Sequence, residues 1–356
     1  MGILSFLKAK PYEIQIESVG IVNGQSNQTI LQSADIQGLE LPHSCRVGGC
    51  AACKCKLKQG NVKTLTEAAY VLTEEELDAG YILTCQSQPK SDLVLEYETA
   101  PAHLMRTQEG RLHSIDQLSP SVYKVTINTS STISFEAGQF IDITVPDFPN
   151  SRSYSMVNAP HQSDSHLSFF IQRIENGSVS NWLTDHRNLN KYVQLSTAKG
   201  QCTLVKTDRT KSLMFAATGS GLAPIVSILN QALKENRTQP AIIAIGANTE
   251  PDLFYLDELR SIQSRWQGEF KIVTVLSQQS NTTHSLNGYI QDHLEYLFSD
   301  KSISDSEIYI CGNPNMVEAV RERCLSLGAP PQQFHIDKFV QAPLSNTAGL
   351  CVSAMR

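Results

Sequence analysis

Cys45, Cys50 and Cys53 lie within nine residues of each other, and Cys85 follows after a gap of 31. A C-x4-C-x2-C loop with a distant fourth cysteine offers four soft thiolates, three from one loop and one returning from elsewhere. Two irons bridged by two sulfides need that donor set, so Cys45, Cys50, Cys53 and Cys85 are the expected ligands of a [2Fe-2S] cluster. Gly48 and Gly49 fit inside the loop, because a backbone wrapped on a cluster needs positive φ and can aim its N–H groups at the sulfides. The rival readings are a tetrahedral zinc site, which usually shows two C-x2-C halves, and a set of buried structural cysteines. Cys55 falls on the same face as Cys53 in the alternating run 53–58 and reads as a packing residue.

Three further constellations could hold phosphates and flat rings. Arg152-Ser153-Tyr154-Ser155 follows a strand and an expected turn at Pro149-Asn150. Its Arg suits a bidentate grip on pyrophosphate, its Tyr packs on a ring, and its Ser hydroxyl hydrogen-bonds at a ring edge. Gly177-Ser178-Val179-Ser180 precedes Asn181-Trp182-Leu183, so Ser180 is expected to cap a short helix whose first N–H groups could bind phosphate; a plain N-cap explains the same letters. Thr218-Gly219-Ser220-Gly221-Leu222-Ala223-Pro224 is a glycine turn feeding a helix, where the dipole favours a dinucleotide's phosphates. Pro224 stands where the usual dinucleotide fingerprint has glycine.

The elements that must position these residues divide the chain into three. Residues 11–100 hold the cysteines and end on the alternating run 92–98, and 99–108 reads as a linker. Residues 105–207 show short alternating strands, such as 122–127 and 140–145, separated by turn residues; this predicts a small antiparallel barrel. Residues 210–340 alternate apolar strands (213–217, 241–246, 270–276, 308–311, 334–340) with helices that follow 217 or cover 252–263, 289–298 and 315–327. That pattern predicts a parallel sheet covered on both faces, with ligands beyond the carboxyl ends of its strands.

A chain of 356 residues has room for two or three domains. Its net charge of −6 is concentrated at the front: residues 11–100 contain six Lys/Arg against twelve Asp/Glu, the run 74–78 forming an exposed acidic helix start suited to a basic partner surface. Nothing suggests nucleic-acid binding. No stretch approaches the roughly 20 apolar residues of a spanning helix, so no stable membrane insertion is expected. The absence of a disulfide framework and the need for thiolates point to the cytoplasm.

The order of these motifs resembles the ferredoxin–NAD(P)⁺ reductase superfamily fused to an N-terminal plant-type ferredoxin, the layout of single-chain reductase components of bacterial oxygenases. The resemblance implies a β-grasp [2Fe-2S] ferredoxin, a β-barrel FAD domain and a doubly wound α/β NAD domain. It implies that Arg152, Tyr154 and Ser155 match the flavin motif R-x-Y-S, and Gly177 and Ser180 the phosphate motif G-x-x-S. Gly219, Gly221 and Pro224 match the nicotinamide turn G-x-G-x-x-P, which accounts for the proline. Cys311-Gly312-Asn313-Pro314-Asn315-Met316 looks like the segment whose cysteine lies by the nicotinamide, and Asp337-Lys338-Phe339 like the acidic-x-aromatic sequence whose aromatic covers the flavin. The segment 254–259 resembles the adenosine side.

Ser155, Cys311 and Asp337 are thereby the expected catalytic residues, and Phe339 joins the cofactor-binding set. No Lys or Arg occurs in 246–248 or 276–279, where a 2′-phosphate would need one, so NADH is expected rather than NADPH. The implied activity is hydride transfer from NADH to FAD, then single-electron transfer to the cluster and out near Arg46 to a terminal Rieske or di-iron oxygenase. Reductases of a fatty-acid desaturase or a deoxysugar dehydrase share the layout, and an electron carrier or redox sensor without turnover is the reading from another class. A monomer with a hinge at 99–108 would let the ferredoxin alternate between flavin and partner.

Overall fold

The computed structural model describes residues 11–17, 20–37, 39, 41–43, 48, 51–66, 68, 71–97, 108–160, 165–206, 209–279, 285–298 and 303–339. Cys45, Arg46, Cys50, nearly all of the expected hinge and the segment after Phe339 lie outside them.

In the first unit, β1 (Tyr12–Ile16) pairs antiparallel with β2 (Gly20–Gly24), and α1 (Ile30–Ile36) follows. The helix starts because Thr29 and Gln32 cap each other reciprocally: the Thr29 hydroxyl accepts the Gln32 N–H at 3.2 Å and the Gln32 amide oxygen accepts the Thr29 N–H at 2.9 Å. β3 (Lys54–Gln59), β4 (Val62–Thr64), α2 (Glu74–Asp78), β5 (Tyr81–Leu83), β6 (Ser87–Pro89) and β7 (Leu93–Glu96) complete it. The main sheet runs β2-β1-β7-β3-β5 and grips Ile30, Leu31 and Ala34 of α1, a β-grasp arrangement. α2 is the acidic run read from sequence; Thr73 and Glu76 form its capping box, and none of its residues is buried.

The second unit comprises β8 (Gln108–Gln117), β9 (Val122–Thr129), β10 (Phe140–Val145), β11 (Phe148–Ser155), β12 (His166–Gln172), α3 (Val179–Leu183) and β13 (Tyr192–Leu195). Its order is β11-β10-β13-β8-β9-β12. The Met156–Phe169 bridge, with Val157 N–H donating to the Ser168 carbonyl at 2.8 Å, joins the two outer strands and closes the barrel. The turn falls at Pro146-Asp147, not at Pro149-Asn150: Val145 pairs with Phe148, which makes a two-residue hairpin and draws 149–150 into β11.

The third unit contains β14 (Ser212–Thr218), α4 (Leu222–Lys234), β15 (Ala241–Ala247), α5 (Leu256–Arg265), β16 (Phe270–Leu276), β17 (Leu286–Asn287), α6 (Leu294–Leu297), β18 (Ser306–Gly312), α7 (Pro314–Ser326) and β19 (Phe334–Lys338). All pairings are parallel, in the order β17-β16-β15-β14-β18-β19, and β18 is buried at every position. Two expected helices are shorter than the sequence suggested. Residues 250–252 form a separate 3-10 turn and Tyr255 adopts φ +63°, so α5 begins only at Leu256. The helix expected over 289–298 splits into a 3-10 turn at 290–293, where the Asp292 carboxylate accepts the Tyr289 N–H at 2.9 Å, and the short α6.

The barrel and the α/β unit each keep a core cluster of their own and share a further one at their seam. Val122, Ala137, Val157 and Phe170 of the barrel pack in the same cluster as Phe215, Ile225, Ile228 and Tyr309, whereas the β-grasp core is a separate cluster. The strap 196–206 crosses this seam. Lys199 Nζ reaches the Asp142 carboxylate at 2.6 Å, and the Cys202 carbonyl lies where a Cβ on Gly138 (φ +100°) would approach within 2.0 Å. Only glycine fits there.

Candidate electron-transfer site

Cys53 closes the cysteine loop just before β3, and Cys85 follows β5. The pairing of β3 with β5 brings their Sγ atoms to 3.2 Å in the buried core. Gly48, at φ +80°, is held to glycine by its neighbour: an added Cβ would lie 2.7 Å from Gln86 Cγ. The Gln86 side-chain amide also lies 3.9 Å from Cys85 Sγ, within reach of a sulfur acceptor. Two converging sulfurs, a left-handed glycine and a nearby amide donor fit a [2Fe-2S] cluster; the other two expected ligands fall outside the described residues. Cys55, buried in the same core, is the packing residue the alternation predicted.

β11 places the flavin motif at the barrel's closure. Arg152 pairs across from Ile143 and donates to the Ser151 carbonyl at 2.8 Å; among the described residues no carboxylate pairs with it, which leaves guanidinium donors for a pyrophosphate. Alternation puts Arg152 and Tyr154 on one face and Ser155 on the other. The donor set fits FAD.

Ser180 is not the helix cap. α3 starts at Val179 with Ser178 at the cap position, and no side chain caps it. Ser180 lies within the first turn, buried, with its Oγ 2.6 Å from where a Cβ on Gly177 would stand. The sequence put the cap two residues late because both serines are good caps and only packing separates them. The Trp182 indole donates to Asp147 at 2.7 Å, tying α3 to the β10–β11 hairpin.

The glycine turn at 219–221 is a 3-10 turn running into α4. Gly219, at φ +54°, faces open space toward Gln172. Gly221 faces the next strand: a Cβ there would lie 2.3 Å from the Cys311 carbonyl oxygen. Pro224 occupies the first helical turn, where no intrahelical N–H is lost. Gly312, at φ +134°, is equally tight, with a virtual Cβ 2.5 Å from Thr218 Oγ1, and Asn313 N–H donates to that hydroxyl at 3.2 Å. Gly312 and Thr218 thus lock the glycine turn to the Cys311 segment, a contact between two motifs that the sequence did not give.

Ser155, Cys311 and Asp337 come together at this point. Cys311 pairs with Asp337 in the β18–β19 ladder, and Ser155 Oγ donates to Asp337 Oδ2 at 3.4 Å across the seam. Cys311 is wholly buried; burial, reinforced by the sulfur of Cys202, pushes its thiol well above the ordinary value. Phe339 lies one residue past β19, half-buried, its N–H donating to the Gly312 carbonyl at 2.8 Å. Beyond the carboxyl ends of β15 and β16, Ser277 Oγ donates to Asn248 Oδ1 at 3.2 Å and Glu250 N–H to Gln279 Oε1 at 2.7 Å. Phe254 and Tyr255 pack edge-on against Phe170 of the barrel, with centroids 5.3 and 4.9 Å away. Phe170 carried no motif and could not have been singled out from sequence.

This layout has counterparts. The family described as the 2Fe-2S iron-sulfur cluster binding domain matches residues 15–90, the oxidoreductase FAD-binding domain 109–204, and the oxidoreductase NAD-binding domain 215–322. The chain is 32% identical over 336 residues to the xylene/toluene monooxygenase electron transfer component XylA of Pseudomonas putida, covering 92% of this chain and 95% of that one. It is 30% identical over 329 residues to the toluate 1,2-dioxygenase electron transfer component of Pseudomonas putida, covering 89% and 94%. Among solved structures, the Amycolatopsis cytochrome P450 reductase GcoB superposes with a TM-score of 0.68 at 25% identity, covering 92% of this chain and 98% of that one. The ferredoxin reductase in carbazole 1,9a-dioxygenase does so at 0.66, with the same identity and coverage.

The protein is a three-part oxidoreductase that uses a 2Fe-2S cluster, FAD and a nicotinamide dinucleotide. It belongs to the ferredoxin–NAD(P)⁺ reductase superfamily, in the branch with an N-terminal 2Fe-2S domain.

Proposed function

We propose that this chain is the NADH-dependent reductase component of an oxygenase, passing electrons to a separate terminal protein. The convergence of Ser155, Asp337 and Cys311 from three strands, in a chain that also pairs Cys53 with Cys85, carries the reading. Electron-transfer components of a monooxygenase and a dioxygenase among its relatives support an oxygenase as the acceptor. A flavin accepts two electrons from a nicotinamide and releases them singly, as a one-electron cluster requires.

The residues then have distinct tasks. Arg152 grips the flavin pyrophosphate, and Tyr154 packs on its ring system. Ser155 presents its hydroxyl at the ring edge while Asp337 fixes its orientation. Cys311, uncharged because it is buried, lines the nicotinamide end without adding a charge that would oppose hydride movement. Phe339 closes the flavin face. The turn at Gly219 and Gly221 admits the dinucleotide phosphates to the start of α4. NADH is the donor because the adenosine end offers the neutral Asn248, Ser277 and Gln279 and no cation, while the carboxylates of Glu250 and Asp252 nearby would repel a 2′-phosphate. Cys45, Cys50, Cys53 and Cys85 hold the cluster, and the protein works as a cytoplasmic monomer.

An anaerobic NADH titration followed by visible absorbance and low-temperature EPR, with NADPH in parallel, tests this. Bleaching of the flavin together with a rhombic signal from a reduced 2Fe-2S centre is expected, with NADH the better donor. A flavin that NADH leaves oxidised would remove the central claim.

A further inference from the structure

The strap that joins barrel and α/β unit brings a second sulfur to Cys311. Cys202 Sγ lies 3.7 Å from Cys311 Sγ, within hydrogen-bond range for sulfur, and both residues are buried. The strap is fixed on either side of it. Lys199 is anchored to Asp142, the Val205 N–H donates to the Tyr309 hydroxyl at 3.0 Å, and buried Arg237 donates to the Val205 carbonyl at 2.5 Å. Gly138 removes the side chain that would otherwise push the Cys202 carbonyl away. At this distance either thiol can donate to the other.

We propose that Cys202 is a positioning residue for hydride transfer: its sulfur takes the S–H of Cys311 across the seam and holds that thiol in one orientation at the nicotinamide end. The inference rests on the reading of Cys311 given above. A thiol can rotate about χ1, and a fixed partner selects one of the rotamers, which differ in where sulfur and proton point. A fixed acceptor in the barrel makes this orientation depend on the barrel and α/β unit being docked.

The test separates hydrogen bonding from packing with two substitutions near cysteine in size. Cys202→Ser keeps a polar acceptor, and Cys202→Val keeps only bulk. In the holoprotein, the S–H stretching band of Cys311, identified as the infrared band lost in Cys311→Ala, is expected to shift in Cys202→Val and to remain hydrogen-bonded in Cys202→Ser. In anaerobic stopped-flow, flavin reduction at saturating NADH is expected to slow roughly fivefold to tenfold in Cys202→Val and less than about twofold in Cys202→Ser, with NADH affinity unchanged in both.

An unshifted band in Cys202→Val, or equal slowing in both variants, would overturn the proposal. If Cys202→Val fails to fold, Cys202→Ala serves instead: it removes the sulfur partner without adding bulk and is expected to shift the band and slow reduction likewise. Unimpaired hydride transfer in Cys311→Ala would instead sink the parent reading of Cys311, and the band would still report whether the two sulfurs meet.

Discussion

Ser155 and Asp337 are 182 residues apart in sequence and meet across the barrel's closing strand, so their hydrogen bond exists only when the two units are docked. Ser155→Ala is expected to slow NADH-driven flavin reduction by roughly tenfold to a hundredfold while flavin content stays at wild-type level, as stopped-flow absorbance would show. An unchanged rate would strip Ser155 of its assigned task. Gly221→Ala acts differently. A methyl group 2.3 Å from the Cys311 carbonyl must push β18 away, at a cost of about 1–3 kcal/mol. The expected outcome is a lowered melting temperature together with impaired NADH reduction; a variant as stable and fast as wild type would show that the turn has slack.

Among the elements, the strap 196–206 carries an electrostatic prediction. Burial alone would raise the Asp142 carboxyl, but Lys199, helped by the Ser153 hydroxyl at 2.5 Å and by the nearby His43 ring, holds it below the ordinary carboxylate range. A depressed folded value means that the pair's stabilisation is present above the unfolded pKa of about 3.9 and is lost as pH falls through the folded value. Lys199→Met reverses the sign. The carboxyl left without its ammonium is raised, so the variant loses more stability at pH 8 than at pH 5, by about 3 kcal/mol at the alkaline end. Melting curves at the two pH values check this. The strap also marks how far sequence carries. The strands of the α/β unit were legible because parallel strands covered on both faces must be apolar throughout, and the cysteine loop because a cluster dictates its own spacing. Ser180, the start of α5 and Cys202 were not legible. The last two are decided by neighbours distant in sequence, the left-handed Tyr255 packed against Phe170 and a glycine at 138 that lets 202 approach, whereas Ser180 is decided locally, its hydroxyl lying against the bare side of Gly177 in place of a cap.

For the molecule as a whole, the separate β-grasp core predicts that the relay can be cut without stopping its first half. Cys85→Ser is expected to abolish the visible and EPR signals of the cluster and all delivery to a protein acceptor. NADH reduction of the flavin, and onward transfer to a small inorganic oxidant, should stay within about twofold of wild type. Loss of flavin reduction as well would mean that the β-grasp unit supports the flavin site directly. Electron delivery should also weaken as ionic strength rises, since α2 presents Glu74 and Glu75 to solvent beside the cluster domain, and stopped-flow at increasing salt would reveal it.

The core that runs unbroken from Val122 and Phe170 through Ile225 to Tyr309 also limits how such chains can be recombined. A crossover between residues 97 and 108 exchanges the β-grasp cluster whole and should give a folded hybrid. A crossover near residue 207 splits the seam cluster between two parents, with Val122, Ala137, Val157, Phe170, Cys202 and Leu204 on one side of the cut and the rest on the other. Functional chimaeras should therefore inherit barrel and α/β unit together, with acceptor choice travelling on the front hundred residues alone.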